Sequence, residues 1–379
     1  MRALNLLFAE GPAAGGSPES VALLADALRV RGHTVTQVGG WPWTGSERGW
    51  IGPEWWWRGA WSLLGRGADL IHAHDRRWAI PALLAARMAR IPAVLTLRDV
   101  GLLCPIATCY LHEGPERPAD CGQRRLYSRC APWFGQTYHA PKGYRWRLAV
   151  RYALLRLEQR AVARFDQVIY PSLGLASHYR RVLPGAGPTV IPSPVRPVAP
   201  HRCLHGWPPF VLFVGKPSLG KGYRDFEDAA RLLRWQGVEA EFVHVGPKPD
   251  PATDDDPVEH VGFHDRLGVE AWLCRAEIVV VPSRIPDALP RVALEAMAHG
   301  RFLVVSDRGG LPECVKPGAT GFVVPAGQPQ KLAEAIGNAL ADLDRRRTGE
   351  EWARRLAKDR YAPEKIAEAH ERMYEGLVH

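Results

Sequence analysis

Long hydrophobic runs are missing: no apolar stretch in the 379 residues reaches the roughly 18 needed to cross a bilayer, which argues against a helical membrane span. The start, MRALNLLFAEG, lacks the longer apolar core and cleavage site of a signal peptide and reads instead as a first β-strand, so the expected compartment is the cytoplasm. Cysteine is sparse and odd in number, seven in all, which in a reducing compartment speaks against a disulfide framework. Acids nearly vanish between Arg124 and Arg164, where ten Lys/Arg meet one carboxylate, Glu158, in a chain of net charge +9. No nucleic-acid recognition motif accompanies that charge, so a nucleic-acid partner is not expected. A solvated basic face and contact with an anionic membrane are the readings left open. Short tandem repeats and low-complexity tracts are also absent.

What is present is an α/β pattern, written twice. Residues 3–9 read as a strand, 11–17 (GPAAGGS) as a glycine-rich turn, Val21 to Val30 as a helix and TVTQVGG as the next strand. Further strands are expected at 68–74, 92–99 and 165–172, with helices at 78–90 and 145–164. The segment 190–200, with four prolines in eleven residues, looks like a linker. The pattern then restarts with PFVLFVGKP, a helix over 223–236, EAEFVHVG, AEIVVVPS, RFLVVSD and TGFVVP, and helices over 329–344 and 363–377. The expected fold is two Rossmann-like domains with parallel sheets facing across a cleft: 1–195, 196–360, and a terminal helix in 361–379 packing back on the first.

Three stretches carry chemistry. In VPSRIPDALPRVALEAMAHG (281–300) a strand ends at Ser283, and Pro290 suits the first turn of a helix that Gly300 stops. Backbone N–H groups near Arg291 and Val292, at that helix's start, suit an anion such as phosphate. Asp287 precedes the helix, and Glu295 lies one turn inside it among apolar neighbours, where a carboxylate needs a partner. A ribose diol, or for Asp287 the hydroxyls of a sugar, would serve. An ion pair of Glu295 with Arg291 at i−4 is the alternative. In FVGKPSLGKGYRDF, Lys216 and Lys221 sit five apart on a loop after a strand, placed to neutralise a diphosphate. Gly15 and Gly16 allow backbone to come close to a ligand but do not match the dinucleotide fingerprint, so NAD is not expected.

In order, VGKPSLGKG, HVGFHD, VVVPSRIPDALPRVALEAMAHG and DRGGLPECVKPGATGFVVPAGQPQKLAEAI resemble the family 4 retaining glycosyltransferases of the two-Rossmann-domain (GT-B) type. The likeness covers most of 205–345, while the first half matches more loosely through GGSPES, DLIHAH and TLRDVGLLC. The resemblance implies a nucleoside-diphosphate sugar donor bound mainly by the second domain and no metal for catalysis. It puts Lys216 and Lys221 on the diphosphate, Glu295 on the ribose and Asp287 on the donor sugar. It also places Ser283 in the donor site, the backbone after Leu289 (Arg291, Val292) at the phosphates, and Gly262 and Phe263 near the base. Gly15 and Gly16 would face the diphosphate or the acceptor. Two positions depart from the family: Asp287 stands where Glu is usual, and Arg98 stands where a His commonly contacts the donor sugar. A fixed cation at Arg98 suits an acidic sugar or an acceptor phosphate, with Asp99 to orient it.

Four of the cysteines cluster as Cys104, Cys109, Cys121 and Cys130 in a Pro/Gly-rich, loop-like stretch. Four thiolates would hold a structural zinc ion, and free thiols are the alternative. Seven of fourteen Trp lie between Trp41 and Trp61, in a segment too broken for a plain core helix. Buried packing is the reading for most of these rings; with the basic helix 145–164 the segment also supports attachment to the inner face of the cell membrane, the alternative for that helix being a surface helix packed on the first domain. His72 and His74 are taken as structural or site-lining. The expected function is retaining hexosyl transfer from a nucleoside-diphosphate sugar to a lipid-linked, saccharide or secondary-metabolite acceptor. A nucleotide-sugar 2-epimerase and a non-catalytic sugar-nucleotide-binding protein are the rivals.

Overall fold

The structure, a computed structural model, describes residues 3–10, 16–39, 53–114, 118–183, 188–198, 208–249 and 256–378. The chain divides into two compact units, one of Met1–Thr108, Arg117–Pro194 and Pro363–His379, the other of Cys109–Glu116 and Val195–Ala362.

The first unit is built on six strands: β1 (Asn5–Ala9), β2 (Thr34–Val38), β3 (Leu70–Ala73), β4 (Ala93–Thr96), β5 (Gln167–Tyr170) and β6 (Thr189–Val190). They pair in parallel in the order β2-β1-β3-β4-β5-β6. Every residue of β3 and β4 is buried, as a parallel sheet covered on both faces requires, and this is why those strands read as unbroken apolar runs. Leu6, Phe8, Leu70, Val94 and Ile169 pack with Val21, Leu24 and Leu28 of the helix Gly16–Val30 and with Ile366, Ala367 and Tyr374 of the helix Pro363–Val378. That last helix is also tied by polar bonds, Glu371 to Arg31 and His33, and the Tyr374 hydroxyl to His72 Nδ1 at 2.6 Å.

Three expectations for this unit are corrected. The first helix begins at Gly16, five residues before the apolar periodicity starts, because Pro18 and Glu19 both suit a first helical turn. The tryptophan segment contains a helix, Pro53–Leu63, that buries Trp55 against Trp78 with ring centroids 4.9 Å apart and leaves Trp57 and Trp61 exposed. Trp41, Trp43 and Trp50 lie outside the described residues. The cysteine stretch is not a plain loop: it contains Cys109–His112, Gln123–Arg125, a π-turn Leu126–Cys130, and Ala131–Thr137.

The second unit has β7 (Phe210–Val214), β8 (Glu241–Val245), β9 (Glu259–Gly262), β10 (Ile278–Val281), β11 (Phe302–Ser306) and β12 (Gly321–Val324), all parallel, ordered β12-β11-β10-β7-β8-β9. Alternate residues feed opposite layers. Leu212, Val279 and Leu303 meet Leu294 and Met297 of the helix Arg291–Ala298 on one face. Val211, Val280 and Val304 meet Phe226, Leu233 and Ile336 on the other. The proline-rich segment is held rather than loose: Val195 is buried and its N–H donates to Tyr361 O at 2.9 Å.

In each sheet the strand order reverses beside the first strand: β1 lies between β2 and β3, and β7 between β8 and β10. Loops leaving such a switch point diverge, and the crevice they open is where doubly wound sheets bind ligands.

Candidate active site

At the switch point of the second sheet, the loop after β7 carries Lys216 and Lys221, and the loop after β10 carries Asp287. Lys221 Nζ donates to both carboxylate oxygens of Asp287 at 2.8 Å, and Ser283 Oγ donates to Asp287 Oδ2 at 2.5 Å. Ser283 is itself fixed, since Ser306 Oγ donates to its carbonyl at 2.6 Å. The two loops are stitched by Arg284 N–H to Gly220 O at 2.9 Å and by an ion pair of Arg284 with the buried Asp225. They approach so closely that Gly222, at φ +70°, leaves no room for a side chain: a Cβ there would stand 1.9 Å from Pro282 O. Gly309 closes the other side at φ +54°, with a Cβ position 2.1 Å from Asp287 O, and the next N–H, Gly310, bonds that same carbonyl at 2.8 Å. The result is a cation–carboxylate pair on a rigid floor. Lys216 stands exposed on the same loop.

The helix Arg291–Ala298 starts at Pro290 without a side-chain cap, and Leu289 is buried in the core beneath it. Glu295 is paired inside its own helix: Arg291 Nε and Nη2 reach Glu295 Oε1 at 3.1 and 2.6 Å. The i−4 partner considered from the sequence is therefore present, and both bonds end on one carboxylate oxygen. Gly262 ends β9 at φ +84°, and Phe263 follows it with 81% of its surface exposed. A ring that open, at a strand's carboxyl end, is available to stack.

In the first unit, Arg98 follows β4; its Nη1 donates to Ser193 Oγ at 3.0 Å and its Nη2 lies 3.5 Å from His74 Nδ1. Asp99 was expected to orient Arg98, but its Oδ1 takes the Gly101 N–H at 2.7 Å and lies 3.7 Å from Arg76 Nε. Burial pushes the pKa of His72 and His74 well below the ordinary imidazole value, with neighbouring His rings and Arg98 acting in the same direction. Both rings are therefore neutral near pH 7, as befits core histidines. His72 is spent on Tyr374 and on Thr96 Oγ1 at 2.7 Å, while His74 Nε2 is buried without a hydrogen-bond partner. Gly16 opens the first helix, and Gly15 lies outside the described residues.

Two family models match this chain, glycosyltransferase family 4 over residues 14–198 and the group 1 glycosyl transferases over 208–342. The chain belongs to glycosyltransferase family 4. Among curated proteins, the alpha-D-kanosaminyltransferase of Streptomyces kanamyceticus is 30% identical over 41% of this chain and 42% of its own. The lipopolysaccharide 1,2-N-acetylglucosaminetransferase of Salmonella typhimurium (strain LT2) is 35% identical over 54% and 61%. The chain thus spans about half the length of the curated relatives it matches. Among solved structures, Anabaena Alr3699/HepE in complex with UDP-glucose superposes with a TM-score of 0.65 at 19% identity, covering 99% of this chain and all of that one, a likeness of fold.

This family 4 chain brings together Lys221, Ser283 and Asp287 from the sequence-derived set and places Lys216, Leu289, Arg291, Val292 and Glu295 on the same two loops and helix. Of the sequence-derived metal set Cys104, Cys109, Cys121 and Cys130 the structure shows no assembled centre: among the described residues no group of three or more His, Cys, Asp or Glu is arranged to hold a metal ion. Cys104 and Cys130 instead pack with Leu126, Ala131 and Leu148 in a small apolar cluster, and burial raises the Cys104 thiol pKa. Sequence reasoning missed Asp225 and Arg284, the Gly309 approach, and the pair His244–His260. Gly309 and Gly310 stood in the quoted DRGG; the others come from separate strands and helices and left no spacing signal.

The basic helix Tyr144–Val162 packs on its unit through Leu148, Leu155 and Val162, and its one acid, Glu158, is buried against Arg76 at 3.2 Å. Its outer side exposes Arg145, Trp146, Arg147, Arg156, Leu157 and Arg160. Among the described residues no helix is long and apolar enough to cross a membrane.

Proposed function

We propose that this chain is a retaining hexosyltransferase that takes a sugar from a nucleoside diphosphate and passes it to a hydroxyl of a lipid-linked, saccharide or secondary-metabolite acceptor. The observation that carries the reading is the Lys221–Asp287 pair at the switch point, held by Ser283 and set beside Lys216 and an uncapped helix start. A diphosphate arriving there exchanges Asp287 for phosphate oxygens as the partner of Lys221, and Asp287 is released toward sugar hydroxyls. In the transfer, the bond from the anomeric carbon to the phosphate oxygen breaks, the acceptor oxygen bonds to that carbon from the same face, and the acceptor proton passes to the departing phosphate oxygen. Charge grows on the leaving diphosphate, and Lys216, Lys221 and the N–H groups at Arg291 and Val292 stabilise it. No metal is assigned a step. On this reading Glu295 accepts from the ribose hydroxyls through the oxygen that Arg291 does not use, Phe263 and Gly262 border the base, and Arg98 reads an acidic group of the donor sugar or acceptor.

A uridine diphosphate sugar is the first donor to test, because HepE binds one. The exposed Trp146 and the arginines of its helix favour work at the inner face of the cell membrane, where an anionic surface would attract them. The test is a melting-temperature panel of UDP, GDP, TDP and ADP with their glucose esters, on the wild type and on Glu295→Ala and Lys216→Ala. A ligand that binds only the folded form raises the melting temperature once its concentration exceeds Kd. One nucleotide should give a shift that both variants lose. No shift with any of them would overturn the donor site.

A further inference from the structure

Beneath the loop that carries Lys216 lies a chain of polar groups that no step above uses. His244, in β8, directs Nε2 at Gly215 O at 2.8 Å. Its Nδ1 faces His260 Nδ1 of β9 at 3.0 Å, and His260 Nε2 faces Asp256 Oδ2 at 2.7 Å. Three contacts in series therefore run from a carboxylate, through two imidazoles, to the carbonyl of the residue before Lys216. A carbonyl and a carboxylate oxygen only accept, so each of the three contacts needs a proton supplied by a ring nitrogen. Two neutral imidazoles carry two such protons, and the chain needs three. The arrangement is complete only when the histidine pair holds one extra proton, a single positive charge balanced by Asp256.

The environment allows that charge. Asp256 reaches the pair from the segment before β9, and Tyr223, at the start of the helix Tyr223–Trp235, brings its hydroxyl to 3.4 Å from His260 Nε2. Glu227 follows one turn along that helix, and Phe213 of β7 adds an edge-on ring 5.5 Å from His244. Burial lowers the His244 pKa, against the opposing pull of the bond to Gly215 O and of the Asp256 charge.

The chain ends on the Gly215–Lys216 peptide, whose flanks are held by Gly215 N–H to Val245 O at 2.9 Å and Ser218 N–H to Lys216 O at 2.8 Å, so its own oxygen is the group left for His244 to fix. Gly215 adopts φ +143° and Gly246 φ +158°, conformations favouring glycine, and a Cβ on Gly246 would stand 2.2 Å from Gly215 O. The peptide between Gly215 and Lys216 is planar, so fixing its oxygen also fixes its N–H, which points the opposite way from His244. The Lys216 side chain departs from that same unit.

We propose that Asp256, His260 and His244 are positioning residues that, in their singly charged state, lock the Gly215–Lys216 peptide for the donor diphosphate, making donor affinity depend on one proton. The inference rests on the donor site proposed above. Raising the pH removes the third proton and one hydrogen bond of the series, and the peptide is freed to turn. A substitution tests the count directly: Asp256→Asn supplies an N–H to His260 Nε2, so all three contacts are satisfied by two neutral rings.

The experiment titrates donor binding against pH. The probes are UDP-glucose, GDP-glucose, dTDP-glucose and ADP-glucose, diesters whose diphosphates do not ionise near neutrality, and the one that binds is carried forward. The wild type should lose affinity several-fold as the pH rises through the imidazole range. Asp256→Asn should keep affinity and lose the pH dependence. His244→Phe should bind several-fold more weakly at every pH, with a KM for donor raised more than kcat is lowered; melting temperatures establish that each variant is folded. A flat wild-type profile, or Asp256→Asn with the wild-type slope, overturns the proposal. If Lys216→Ala and Glu295→Ala abolish binding while pH and His244→Phe do nothing, this inference alone fails. If no probe binds, or those two variants bind as the wild type does, the donor-site reading fails and this one with it.

Discussion

Acid should loosen the first unit through its terminal helix, and His370 sets the size of the effect. The ring is buried, with Nδ1 on Ile366 O at 2.8 Å, and burial lowers its pKa to about 4, with Arg98 adding to the fall against the opposing Ile366 bond. An unfolded chain protonates the same ring near an ordinary value of about 6.5. Between those limits the unfolded state binds the proton and the folded state refuses it, so stability rises with pH and is lost on acidification from about 6.5 to about 4. At about 1.4 kcal/mol for each pH unit, the full loss from this one group is about 3 kcal/mol, a large share of the 5–15 kcal/mol that holds a typical domain. His72 and His74 shift in the same direction, but their rings lie 3.8 Å apart and their effects do not simply add. Glu10 and Glu158, whose pKa values burial raises, work in the opposite sense above the ordinary carboxylate range. The comparison that isolates His370 is urea unfolding of wild type and His370→Leu from pH 7.5 to 5. The variant should be nearly level with the wild type or weaker at pH 7.5 and should gain on it by about 1.4 kcal/mol for each unit below about 6.5. Equal slopes for the two proteins would refute the argument.

Other expected outcomes follow from the second unit. Lys221→Met should lower kcat for transfer by about 10²–10³-fold while leaving the fold intact, measured by product formation at saturating donor. Arg284→Ala strands the buried Asp225 carboxylate and should cost about 3–5 kcal/mol in urea titration, a penalty that Arg284→Ala with Asp225→Asn partly restores. Gly309→Ala places a methyl 2.1 Å from Asp287 O and should abolish donor binding before it abolishes folding, seen as a lost ligand shift in a protein that still melts cooperatively.

The helix and strand pattern was legible because local chemistry sets it. Continuous apolar runs marked the buried parallel strands, and Pro290 and Gly300 bracketed the helix that bears Glu295. The site was legible in part. Lys216, Lys221, Asp287 and Glu295 sit on loops that a repeated strand–loop–helix grammar places at the carboxyl ends of strands, and their charges amid apolar sequence drew attention. The Trp segment and the cysteine stretch misled, because broken apolar spacing conceals a helix whose two faces meet different surroundings, such as Trp55 inside and Trp57 outside.

By itself, then, the sequence determined which segments are strands and helices, that the chain repeats a Rossmann-like plan, and which charged residues stand at strand ends. Only the tertiary structure decided partners. Lys221 and Asp287 are 66 residues apart, Arg284 and Asp225 are 59 apart, and Arg31 and Glu371 are 340 apart. Side-chain pairing across strands depends on sheet order, and the order β10-β7-β8-β9 that brings Asp256, His260, His244 and Gly215 into line is a property of packing, not of spacing along the chain.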